Sequence, residues 1–134
     1  MLAGRYYRRP LSADITVTVP ARPDFVRLLR AVVASIGARF DLTYDRIDDL
    51  RMVVDEASAQ LLRIPSRTLT MKVAPGERMV ILVQADGSAD GEWPPPGLED
   101  TLAWRVLSGL ADEVRFERAN DGRPGVHIEM DTSR

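Results

Sequence analysis

The chain has 134 residues, 45% hydrophobic and 28% charged, which fits a globular domain with its own core and argues against a disordered chain. It has no cysteine and one histidine, so disulfides, thiolate metal centres, cysteine nucleophiles and multi-histidine metal sites are excluded. A net charge of −2 argues against direct nucleic-acid binding, and no apolar run reaches the ~20 residues of a membrane span.

Residues 1–13 carry Arg5, Arg8 and Arg9 without an apolar run, and are expected to form a flexible basic tail rather than a signal peptide; the protein is read as cytoplasmic. One domain is expected over 14–134. Residues 14–19 alternate Ile15, Val17 and Val19 with Thr16 and Thr18, the pattern of a half-buried strand. Pro23 suits the first turn of a helix, and Phe25, Leu28, Leu29, Val32, Val33 and Ile36 recur at helical spacing, predicting an amphipathic helix over 23–39. A second helix is predicted from Thr43, its N-cap, with Leu42 and Ile47 as a hydrophobic staple. Its buried stripe is Ile47, Leu50, Val54, Ala57 and Leu61, and Pro65 ends it.

Residues 67–74 alternate again, with Leu69, Met71 and Val73 inward, and Pro75-Gly76-Glu77 is a turn. Residues 78–84 are more uniformly apolar and are expected at the centre of the sheet. Three glycines and a triple proline keep 85–98 out of regular structure. A third helix is predicted over 99–111 with Leu102, Val106, Leu107 and Leu110 on one face, followed by strands 113–118 and 125–130 joined by an Asn-Asp-Gly turn. The order is β-α-α-β-β-α-β-β. Strands with one apolar face and three amphipathic helices predict an α+β fold, a two-layer sandwich with the helices on one face of a mostly antiparallel five-stranded sheet and the other face wet.

Several residues could carry chemistry. Glu56 and Gln60 lie one turn apart on the flank of the second helix, with Asp49 on the same flank; they could hold a magnesium ion or a water, or be a plain polar edge. Asp86-Gly87 and Asp90-Gly91 could bring backbone N–H groups to a phosphate, or simply make turns. His127 alternates outward between Val126 and Ile128 and is expected on a solvated strand face. Trp93, in the proline-rich loop, is expected at a partner contact, and Trp104 in the core or at its rim.

Residues 14–131 resemble the anti-sigma factors of the serine-kinase type, in the GHKL superfamily of histidine-kinase-like ATPases. The segments that carry the resemblance are LLRAVVASIGARFDLTYDRIDDLRMVVDEASAQLL (28–62) and LAWRVLSGLADEVRFE (102–117). The resemblance implies a GHKL-like (Bergerat) sandwich and three nucleotide motifs, and the chain departs from each. The first is a glutamate followed four residues on by a magnesium-binding asparagine: Glu56 is kept as a vestigial general base, but Gln60 replaces the asparagine, and its longer side chain misplaces the amide oxygen for octahedral Mg²⁺. The second is Asp-x-Gly-x-Gly, whose aspartate reads adenine. Its match is Ala85-Asp86-Gly87-Ser88-Ala89, with alanine in the aspartate and second glycine positions; recruiting Asp86 instead would turn its side chain. The third is a Gly-x-Gly phosphate loop, matched by Thr101-Leu102-Ala103, whose Cβ atoms would crowd a phosphate. If each of the three losses costs ~1–3 kcal/mol, nucleotide affinity falls by about two to six decades.

The resemblance therefore implies an anti-sigma factor that sequesters a sigma factor and is released by an anti-anti-sigma antagonist, without kinase activity. No cofactor is expected; ATP with Mg²⁺ would bind only if the altered site still works. Gln60, Ala85, Asp86, Gly87, Thr101 and Ala103 are then vestigial nucleotide-site residues. A family arginine that contacts both partners falls on Arg30, with Arg27 one turn before it, and a homodimer is expected. The alternatives are an active serine/threonine kinase acting on the antagonist, or a ligand sensor with a pocket lined by Val53 and Gln60.

Overall fold

The computed structural model describes residues 14–88 and 92–132. The expected tail over 1–13, and Ala89, Asp90 and Gly91, lie outside them. The elements run β1 (Ile15–Pro20), α1 (Pro23–Arg39), α2 (Tyr44–Leu61), β2 (Thr68–Ala74), β3 (Arg78–Ala85), a 3₁₀ turn (Leu98–Asp100), α3 (Leu102–Leu110), β4 (Glu113–Arg118) and β5 (Pro124–Asp131). The five strands form one sheet in the order β1-β2-β3-β5-β4, every pair antiparallel, with β3 at its centre. This is the expected α+β sandwich.

Strand alternation sets the two faces of the sheet. Register places Val17, Met71, Val83, Val126 and Phe116 in one row, and Ile15, Val73, Ile81, Ile128 and Val114 in another. Met71, Val73, Ile81, Val83, Val126 and Ile128 are fully buried beneath the helices. The intervening residues form the open face: Thr16, Lys72, Leu82, His127 and Arg115 in one row, Ala74, Val80, Glu129 and Glu113 in the next. His127 lies on this face, as expected, half-buried rather than fully solvated.

The helix ends have local causes. Pro23 opens α1 without wasting a hydrogen bond, and Asp24 and Arg39 complement its dipole. The chain leaves α1 through Asp41, at φ 59°, a left-handed conformation that aspartate tolerates better than most side chains. Thr43 Oγ1 accepts the Arg46 N–H at 3.1 Å and starts α2. Gly37 allows the two helices to close: a Cβ there would lie 2.9 Å from Leu50 Cδ1 and 3.2 Å from Ile47 Cγ1. The α2 stripe is buried as predicted, and Val53 and Ser58 join it.

Two expectations need correction. Trp93 is buried rather than free for a partner: its ring stacks on Phe116 with centroids 5.1 Å apart, and its indole N–H donates to the Gly125 carbonyl at 3.1 Å. The third helix begins at Leu102, not 99, because Thr101 caps it. Leu102 is not on the buried face; it is 73% exposed, and Ala103 takes the inward position beside Leu107. Trp104 sits at the rim, edge-on to Phe116.

Candidate functional site

The expected nucleotide-site residues come from three places: the middle of α2, the end of β3 and the start of α3. α2 is the central helix, packed on both α1 and α3 and lying across β3 and β5. Glu56 and Gln60 share one flank of α2, both half-buried. Asp49 does not join them. It pairs with Arg46 at 3.2 Å, and Arg46 reaches away to the Leu110 and Asp131 carbonyls.

At the end of β3 the alternation decides which side chain faces the helices. Ala85 takes the inward position and is 1% exposed. Asp86, one residue on, points to the other side, where it lines a hollow with Thr68, Thr70, Lys72, Gln84 and Arg123. Its carboxylate accepts the backbone N–H groups of Arg67 at 2.8 Å and Thr68 at 3.1 Å. The Thr68 bond, with that from Arg67, outweighs burial and holds this carboxyl below the usual carboxylate range. Gly87 donates its N–H to Ser66 Oγ at 3.0 Å and packs so tightly that a Cβ would fall 2.0 Å from the Pro65 carbonyl oxygen. The Asp86-Gly87 pair thus joins the end of β3 to the segment leaving α2.

At the start of α3, Thr101 Oγ1 accepts the Trp104 N–H at 3.1 Å and donates to the Leu98 carbonyl at 2.6 Å. The residues in the two matched glycine positions therefore serve the fold: Thr101 caps α3 and Ala103 packs inward.

The candidate partner-binding residues lie on α1. Arg27 is exposed. Arg30 is half-exposed and forms an ion pair across the helix hairpin with Asp55 of α2, NH1 to Oδ1 at 2.5 Å. No local pattern points to Asp55, since the pair spans two helices and depends on how they pack. Arg46 was missed for the same reason; the only local hint is its spacing of three from Asp49.

No protein-family model matches the chain. It is 37% identical over 112 residues to the anti-sigma-F factor RsbW of Mycobacterium tuberculosis (strain CDC 1551 / Oshkosh), a match covering 81% of this chain and 63% of that protein. It is 40% identical over 43 residues to the serine-protein kinase RsbW of Bacillus subtilis (strain 168), covering 32% of this chain and 27% of that one. A similar match, 40% over 48 residues, joins it to the serine-protein kinase RsbW of Halalkalibacterium halodurans, over 36% of this chain and 30% of the relative. The chain thus spans less than two thirds of the length of the curated relatives it matches. By these likenesses, and by a fold with the expected elements in the expected order, the chain is similar to the anti-sigma factor and serine-protein kinase RsbW proteins.

Proposed function

We propose that this chain is an anti-sigma factor that acts by sequestration rather than by phosphoryl transfer. It would hold a sigma factor away from RNA polymerase and release it to an anti-anti-sigma antagonist. The observation that supports loss of nucleotide chemistry is the end of β3. Ala85 faces the helices where a base-reading carboxylate is needed, and the Asp86 carboxylate is directed to the other side and spent on two backbone amides. Gln60 in the metal-ligand position and Thr101 and Ala103 in the phosphate loop point the same way. Glu56 is then a remnant general base. Arg30, with Arg27 a turn away, supplies cationic contacts to acidic groups on both partners, and the working form is a homodimer.

The test is calorimetric titration of folded protein with Mg-ATP and Mg-ADP at millimolar ligand, beside a competition assay in which the protein displaces sigma factor from RNA polymerase core. Displacement without nucleotide, and no heat from either nucleotide, is the expected result. Micromolar nucleotide affinity would replace this reading with the kinase, which the retained Glu56 and the likeness to proteins named serine-protein kinases favour.

A further inference from the structure

Three ligand-bearing side chains meet on the open face of the sheet, on the side away from the helices. The register of β4 and β5 sets Glu113 directly opposite Glu129. His127 lies two residues before Glu129 on the same strand, so strand alternation brings it to the same face. One donor atom from each of Glu113, His127 and Glu129 lies within 4.8 Å of the other two. His127 Nε2 is 2.8 Å from Glu129 Oε2, and these two side chains are only 16% and 21% exposed.

The carboxylates are held by arginines. Arg78 Nε donates to Glu129 Oε1 at 2.9 Å, leaving Oε2 turned to the imidazole. Arg115 pairs with Glu113 Oε2. This is the arrangement of an outer shell, in which groups beyond the ligands fix ligand orientation. Beside the cluster a hollow of about 630 Å³ opens to solvent, lined by Lys72, Val80, Leu82, His127 and Glu129 among others.

We propose that Glu113, His127 and Glu129 form a binding site for a divalent d-block cation, with zinc the type ion. One imidazole nitrogen and two carboxylate oxygens are a donor set that suits zinc and is poorly matched to magnesium or calcium, which take oxygen ligands alone. Tetrahedral zinc with bonds of about 2.0–2.2 Å sets its ligand atoms about 3.3–3.6 Å apart. The Nε2–Oε2 separation of 2.8 Å is shorter than this, and every donor pair lies within 4.8 Å, so binding requires only side-chain adjustments of about an ångström. Two carboxylates and a neutral imidazole offset the charge of a dication, and the hollow leaves a coordination position open. Arg78, Arg115 and Lys72 oppose a cation there and lower the expected affinity. The site shares no residue with the nucleotide motifs, so it stands whether or not the chain binds ATP.

The experiment is a titration of chelator-treated protein with zinc chloride, followed by the ¹⁵N signals of the imidazole. His127 is the chain's one histidine, so the signal needs no assignment by mutation. Zinc is expected to bind one per chain, move the Nε2 resonance to its coordinated position and raise Tm; magnesium chloride at the same concentration should do neither. Glu113→Gln and Glu129→Gln, each folded by circular dichroism, should weaken zinc binding by about tenfold or more. An imidazole signal unmoved at millimolar zinc, or zinc affinity unchanged in both glutamine variants, overturns the proposal and leaves the cluster as an ion-pair network.

Discussion

Single side chains in this fold show how narrow the tolerance of a packed interior is. Ser58 lies on the buried side of α2, fully inaccessible, and its Oγ has no hydrogen-bond partner among the described residues. A buried hydroxyl without a partner carries its desolvation cost uncompensated, and alanine is also the better helix former. Ser58→Ala is therefore expected to stabilise the protein by about 1 kcal/mol, read as a higher urea midpoint at unchanged slope. Gly87 is the opposite case. Its missing Cβ is what lets the chain pass the Pro65 carbonyl, so Gly87→Ala must displace backbone. We expect a loss of about 2 kcal/mol or more in the same measurement.

Between elements, two polar ties do what the apolar core cannot: they fix where chain segments end relative to one another. Arg46 is the first. It stands in the opening turn of α2, where a cation opposes the helix dipole. Its guanidinium nevertheless donates to the Leu110 carbonyl at the end of α3 and to the Asp131 carbonyl at the end of β5, and pairs with Asp49 and Asp112. The side chain is only 12% exposed. Arg46→Ala would remove the guanidinium donors that join α2 to the ends of α3 and β5 and is expected to cost about 2–3 kcal/mol in urea unfolding. Arg46→Lys should recover only part of this, because an ammonium cannot serve the separate acceptors as a planar fork does.

The second tie is Asp86, which joins the end of β3 to the start of β2. Its carboxyl is held below its ordinary value of 3.8, so the bond is stronger in the ionised form. A group whose folded pKa is lowered contributes stability that is complete above its unfolded pKa and is lost as pH falls through the folded one. Asp86→Asn keeps the acceptor and removes the charge. The variant should be less stable than wild type at neutral pH, and the difference should shrink toward zero at strongly acidic pH. Parallel urea titrations at the two pH values check this. Solvent screening at this half-exposed site keeps the neutral-pH difference to about 1 kcal/mol or less.

For the molecule as a whole, the layered fold separates two surfaces. The helical layer carries Arg27, the Arg30–Asp55 pair and the half-exposed Leu28 and Met52, while the open sheet face carries the histidine–glutamate cluster. An exposed ion pair such as Arg30–Asp55 contributes little to stability. If Arg30 serves partners, its removal should separate binding from folding. Arg30→Ala is expected to change unfolding free energy by less than about 1 kcal/mol and, under the proposed function, to weaken binding of a sigma factor by tenfold or more, measured by titration calorimetry. Asp55→Ala, which frees the guanidinium, should retain that binding. Equal losses in both variants would mean that the pair acts only through the shape of the helix hairpin.

Local pattern carried most of the architecture. Alternation in 14–19 and 67–74 assigned inward and outward residues correctly, because in a strand a side chain's face follows from its parity alone. Pro23 and Thr43 marked the starts of α1 and α2, because a helix end needs a particular residue within one turn of itself. The departures at Gln60, Ala85, Thr101 and Ala103 from the motifs that the resemblance implies are differences of sequence at fixed spacings, and need no structure to be seen. Other features needed the folded chain. Trp93 looked like loop surface because nothing nearby in sequence shows that Phe116 and Gly125 stand beneath it. Leu102 followed the helical period of its neighbours, yet a helix lying at the edge of the layer buries less of its first turn. Asp55 beside Arg30, Asp131 beside Arg46, and Glu113 opposite Glu129 are pairs fixed by packing and by strand order. A period of two or of about 3.6 residues reports which way a side chain points. What it meets depends on chain segments brought together from elsewhere, and that is decided when the sheet closes and the helices dock.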